Sequence, residues 1–273
     1  MNIKANEAKV FHRILDDNTY LRSLGYNVLG IFLQGSQNYN LDYENSDIDT
    51  KAIVIPKFND FCLNKKPTST TIVLENNEHI DVKDIRLMFD CFRKQNINFL
   101  EILFTEYAYI NDDYTELFQP MLDNREKIAH YNNYAAINCL VGMVLEKHKA
   151  MEHPYPNLID KIEKYGYDPK QLHHILRCTE FLKRYINGVS YADCLISTDP
   201  QYLIDVKSKC IYNLEEARKI ANDKEILVKD IKDRYMKNHE VMIDHEVEII
   251  MDNVILNIMK QSFRNELKGY KYD

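Results

Sequence analysis

The sequence has no tryptophan, only seven glycines in 273 residues, and no long apolar run. The missing run excludes a bilayer-spanning helix, and the amino terminus lacks the apolar core of a signal peptide. Cysteine is present but never in a C-x-x-C pair: Cys62, Cys91, Cys139, Cys178, Cys194 and Cys210 are widely scattered. That spacing argues against a zinc site or a disulfide framework and for thiols kept in a reducing compartment. The cytoplasm is the expected location. Positive charge is in deficit too, with 35 Lys and Arg against 42 Asp and Glu, a formal net charge of −7. This argues against tight, sequence-blind binding of long duplexes, while a local basic groove stays compatible with a nucleic-acid acceptor. Internal repeats, heptads and low-complexity linkers are absent, which removes solenoids and coiled coils.

What is present is concentrated in one stretch, Asn27 to Ile55, closed by Pro56. Val28, Leu29, Ile31, Phe32 and Leu33 make an apolar run long enough for a buried strand and too short for a helix. It stops at Gly35-Ser36. After a polar, Asn-rich loop, Asp47-Ile48-Asp49 opens a second run, Ala52 to Ile55. Pairing the two strands puts the Gly-Ser turn beside the carboxylates. Residues two apart on a strand share a face, so Asp47 and Asp49 are expected to point together. Two carboxylates on one face repel unless a cation neutralises them, and a divalent ion with oxygen ligands is the usual solution. A Gly-Ser turn beside such an ion offers N–H groups and a hydroxyl to phosphate oxygens.

The remaining pattern is α/β up to about residue 125 and helical beyond it. An amphipathic helix is expected from about Glu7 to Ser23, and Asn40 is expected to adopt positive φ. Further strands run from Thr70 to Leu74 and His79 to Val82, with Asn76-Asn77 in the turn between them. Asp84 is the expected cap of a helix carrying Ile85, Met88, Phe89 and Phe92, which leaves Asp81 free to face the metal. Asp112-Asp113 reads as the cap of a helix from Thr115, after an edge strand at Tyr107 to Ile110. In the helical half Asp168 and Pro169 form an N-cap and N1 pair, and the helix behind them stops at Asn187-Gly188. Lys170, His174 and Arg177 stand at i, i+4 and i+7 on that helix and share one basic face. The expected architecture is α+β: a catalytic domain over 1–125, and a helical domain over 126–273 that walls the cleft.

Gly35-Ser36 followed by Asp47-x-Asp49 resembles the signature of the DNA-polymerase-beta-like nucleotidyltransferases. A narrower resemblance, spanning nearly the whole chain, is to the predicted RNA-repair-pathway nucleotidyltransferases. It rests on Gly35-Ser36 with Tyr39-x-Leu41, Ser46-Asp47-x-Asp49, and Asn98 to Phe104 around Leu100-Glu101. In the helical half it rests on Gly166 to Lys170 followed by His174 and Arg177. Asn40 stands where that family tends to have Gly, and Thr50 where a basic residue is common.

The resemblance implies a mixed sheet with flanking helices and transfer of a nucleoside monophosphate from an NTP, ATP among the candidates. The acceptor is a hydroxyl, with an RNA end as the leading candidate. It implies catalysis by Asp47, Asp49 and Asp81 holding two Mg²⁺ ions, for which Mn²⁺ can substitute. Gly35 and Ser36 take the β- and γ-phosphates, and Lys170, His174 and Arg177 are candidate contacts to triphosphate or RNA phosphate. The same carboxylates also serve transfer of AMP to a protein hydroxyl, and a non-catalytic nucleotide-binding module is the alternative outside enzymology.

Overall fold

The computed structural model describes residues 3–43, 46–156 and 158–269. In chain order the elements are α1 (Ile3–Ser23), β1 (Asn27–Gln34), β2 (Asp49–Ile55), α2 (Phe58–Cys62), β3 (Ser69–Val73), β4 (His79–Asp84), α3 (Ile85–Arg93), α4 (Ile97–Leu100), β5 (Ala108–Ile110), α5 (Thr115–Asp123) and α6 (Arg125–Ala129). Then follow α7 (Asn133–Ala150), α8 (Ile159–Tyr165), α9 (Pro169–Ile186), α10 (Tyr191–Leu195), α11 (Pro200–Lys209), α12 (Leu214–Asn238) and α13 (His245–Gly269). The fold is mixed α+β. Among the described residues no helix is long and apolar enough to cross a membrane. The contacts divide the chain into two compact units, one of residues 1–38, 46–131 and 244–273, the other of 39–45 and 132–243.

The first unit is built on a five-stranded sheet in the order β3-β4-β2-β1-β5. β1 runs antiparallel to β2 and β5, β3 antiparallel to β4, and β2 parallel to β4. Alternation sorts the side chains. Val28, Ile31, Leu33, Ala52, Val54, Ile80 and Val82 pack with Val10, Ile14 and Leu21 of α1 in one core cluster. Each Val, Ile or Leu side chain buried this fully stabilises by roughly 1.5–3 kcal/mol. Elsewhere in the unit Phe32 meets Phe118 of α5 with ring centroids 5.9 Å apart. Met88, Phe89 and Phe92 of α3 are fully buried.

Asp84 caps α3 as its sequence position suggests, its carboxylate accepting from the Arg86 N–H at 2.9 Å. Asp112 and Asp113 do not cap α5. Tyr114 takes the N-cap position without a side-chain bond, and the Asp113 N–H donates to the Asn111 side chain at 3.2 Å. The Asn111 carbonyl closes that turn by accepting from Tyr114 N–H, which shifts the helix start past both aspartates. The late helix α13 belongs to this sheet unit. Ser262 accepts from Asn27 Nδ2 at 2.8 Å, Glu266 from Phe58 N–H at 2.8 Å, and Asp252 pairs with Arg93 at 2.6 Å.

The second unit is helical and centres on α9. Leu172, Ile175, Leu176, Phe181, Leu182 and Tyr185 are buried along its length. Gly166 adopts φ +79° to end α8, and its missing Cβ leaves room for Leu214, whose Cδ2 would lie 2.9 Å from one. Asp168, 1 % exposed, then starts α9 by accepting from Lys170 N–H at 3.1 Å and Gln171 Nε2 at 3.0 Å. Pro169 follows at N1, where its missing N–H costs nothing. Asp168→Ala removes a cap and the acceptor of the half-buried Gln171 amide. The expected loss is about 1–2 kcal/mol of unfolding free energy, read from the urea midpoint at constant m-value.

Candidate functional site

β1 ends at Gln34, and the chain turns at Gly35 with φ +93°, a region L side chains rarely adopt. A short 3-10 turn, Ser36–Tyr39, follows. Asn38 N–H donates to the Gly35 carbonyl at 3.0 Å, and Asn38 Nδ2 to the Leu33 carbonyl at 2.8 Å. Thr105 Oγ1 donates to Asn38 Oδ1 at 2.7 Å and fixes that side chain. Nothing lies within 4 Å of the position a Cβ would take on Gly35, so the turn has open space over it. Asn40 adopts φ +57°, the conformation a glycine would supply in its place.

The antiparallel register sets Gln34 opposite Asp49, which brings the Gly35-Ser36 turn next to the first residue of β2. The Asp49 carboxylate is 30 % exposed and its Oδ1 accepts from the His79 N–H at 2.9 Å. Parallel pairing of β2 with β4 sets Lys51 opposite Asp81, whose carboxylate is 25 % exposed. Strand alternation therefore gives Asp49, Lys51 and Asp81 one common face. Asp47 precedes the strand. β2 begins at Asp49, so Asp47 lies in the preceding loop, exposed, where the two-residue alternation of a strand does not hold. Its carbonyl accepts from Gln37 Nε2 at 3.4 Å.

Lys51 was not among the residues singled out by sequence, although its parity with Asp49 in an otherwise apolar strand was a readable signal. The side chain is 2 % exposed. Its ammonium donates to Gln34 Oε1 and lies 3.8 Å from Asp81 Oδ2. Burial draws its pKa down to about 8, against the opposing pull of the Asp81 carboxylate. Lys51 and Lys83 both lie 4.8 Å from the centroid of the Phe99 ring.

Thr50 points the other way, into the α1 face. It is fully buried and its hydroxyl donates to Asp17 Oδ2 at 2.6 Å. A substrate contact from this position is thereby removed, and the residue instead joins a brace. Arg13 pairs with Asp17 at 2.8 Å and with Glu78, and Glu78 accepts from the Ile48 N–H at 3.0 Å. Two anchors, from α1 and from the turn before β4, thus hold the backbone that presents Asp47 and Asp49.

Asp49 and Asp81 are hard oxygen donors of the kind that hold Mg²⁺ together with substrate phosphates. That donor chemistry fits a divalent ion. Among the described residues no three His, Cys, Asp or Glu side chains form a ready metal cluster.

The other sequence candidates lie on α9 in the second unit. Lys170 is exposed in the first turn. His174 is desolvated, with its imidazole pushed well below the usual value by burial and then by His173 and Arg177. The titration near neutral pH that an unperturbed imidazole gives is therefore not expected of it. The Arg177 guanidinium stacks 3.7 Å from the centroid of the Tyr39 ring, within the same unit.

The sequence matches no protein-family model, and no curated protein matches it. A solved structure, a nucleotidyltransferase-like protein from Exiguobacterium sibiricum, is similar at 11 % identity over 86 % of this chain and 74 % of that one. The TM-score is 0.30, so the functional reading rests on the residues of this chain alone.

Proposed function

We propose that the protein is a nucleotidyltransferase that moves a nucleoside monophosphate from an NTP to an acceptor hydroxyl, with an RNA end as the leading acceptor. The observation that carries this reading is the register of β1 on β2. It joins an open, glycine-made turn to a carboxylate on a face that also carries Asp81. Gly35 and Ser36 offer N–H groups and a hydroxyl to the β- and γ-phosphates. Asp49 and Asp81, with Asp47 on the adjoining loop, are the residues to hold Mg²⁺. When bound, the ion lowers the acceptor's pKa and neutralises leaving-group charge. The chain's own part is to fix the in-line approach of the hydroxyl to the α-phosphorus. Within the helical unit, Lys170, His174 and Arg177 of α9 are candidate phosphate contacts. His174 would act there as a neutral hydrogen-bonding group.

The test is incubation with α-labelled NTPs and Mg²⁺ against short RNAs, against proteins, and without acceptor. Label on RNA ends supports the reading in full. Label on protein keeps the chemistry and changes the acceptor. Nucleotide binding without transfer to any acceptor leaves a binding module.

A further inference from the structure

Two carboxylates on one face of the sheet call for positive charge, and this chain already supplies one. Lys51 lies at the same parity as Asp49, opposite Asp81 in the parallel register, and its ammonium is 3.8 Å from the Asp81 carboxylate. The side chain has almost no contact with solvent. Gln34 Oε1 accepts one of its protons, and the Phe99 ring lies beside it. Gln34 in turn is the register partner of Asp49 and the residue before the Gly35 turn. A lysine tethered on so many sides is a fixed cation of the face and not a surface side chain that swings away. A buried charge also feels its neighbours through a lower dielectric than a solvated one does.

We propose that Lys51 is a built-in counter-cation of the Asp49–Asp81 face, standing in for one of the two divalent ions that such a face invites. The protein then takes at most one divalent ion there, and takes it against the field of Lys51. The inference rests on the metal-binding part of the proposed function. It departs from the two-ion expectation implied by the sequence resemblance. The charge balance favours one ion: Asp49, Asp81 and Lys51 together carry a single negative charge, or a double one with Asp47 of the adjoining loop, and one divalent cation neutralises either. A second ion would have to settle beside an ammonium, where like charges at contact distance repel strongly. Lys83, across the same phenyl ring, adds to that repulsion.

The test is Mn²⁺ binding to the intact protein, followed by calorimetry and by electron paramagnetic resonance, with no acceptor and no turnover. Lys51→Met keeps the length of the side chain and removes its charge. It is expected to raise Mn²⁺ affinity at least tenfold and to admit one more ion than the wild type. Lys51→Gln is the second variant, retaining a polar end for Gln34 in case the methionine variant does not fold. Unchanged or weaker Mn²⁺ binding in a folded variant overturns the proposal, as do two ions bound at this face in the wild type. If neither the wild type nor the variants bind Mn²⁺, the face is not a cation site and the proposal fails as well. Asp49→Asn assigns the binding to this face, since only an ion held there is lost with it. Failure of the nucleotidyltransferase reading registers separately, as absence of transfer in the labelled-NTP assay.

Discussion

Asparagine in place of Asp49 is expected to lower nucleotidyl transfer about a thousandfold, and Asp81→Asn by a similar factor, in single-turnover assays with labelled NTP. The argument is electrostatic. Both carboxylates lie on one face with Lys51, and removing either charge leaves the cation chemistry of that face without a balancing group. The fold should survive both changes. An asparagine carbonyl can still accept the His79 N–H that Asp49 now holds, and both side chains are partly exposed. Asp47→Asn is expected to cost less, because Asp47 sits in an exposed loop outside β2. Transfer within tenfold of wild type in Asp49→Asn would place the reacting centre elsewhere in the molecule.

The second large effect is on stability and belongs to α9. His173 is 3 % exposed, and its ring Nδ1 bonds the Leu203 carbonyl at 2.9 Å. Burial lowers its pKa to about 4. In the unfolded chain an imidazole takes its proton near about 6.5. Between those two values the unfolded state binds more protons than the folded one, so stability falls as pH falls. The contribution is complete above about pH 6.5, shrinks through the window, and stops changing below about pH 4. Its size is about 3 kcal/mol. His173→Asn keeps a donor for Leu203 and has no proton to take. Urea denaturation at pH 7 and pH 4.5 should show the wild type losing about 2 kcal/mol more than this variant. Equal losses would mean that His173 can be protonated without opening α9.

Much of the site was legible because its signals are local. A glycine after an apolar run marked the turn at Gly35, and Asn40 was recognisable as a residue that tolerates positive φ. Asp84 before Ile85 and Asp168 before Pro169 announced their helices by type and spacing alone. What escaped depends on pairing or on boundaries. Parallel alignment of β2 with β4 is not written in either strand, yet it alone puts Lys51 beside Asp81. Asp47-Ile48-Asp49 reads as the opening of a strand, and the strand starts two residues too late to include Asp47. The outlook of Thr50 was available from parity with Asp49, since adjacent residues face opposite ways. Asp17, its partner on α1, lies 33 residues away and had no local mark.

The return of α13 to the sheet has a consequence for synthesis on the ribosome. Asn27 reaches across 235 residues to Ser262, and Phe58 across 208 to Glu266. Partners so far apart meet only after synthesis has passed Ser262 and Glu266, and contacts of such long range slow folding. The helical unit draws most of its residues from the continuous run 132–243. Although translated later than the strands, it can close upon itself while α13 is still emerging. The unit built on the sheet, begun first, is completed last by α13, and until then the α13-facing side chains of β1 and α3 depend on whatever shields a nascent chain.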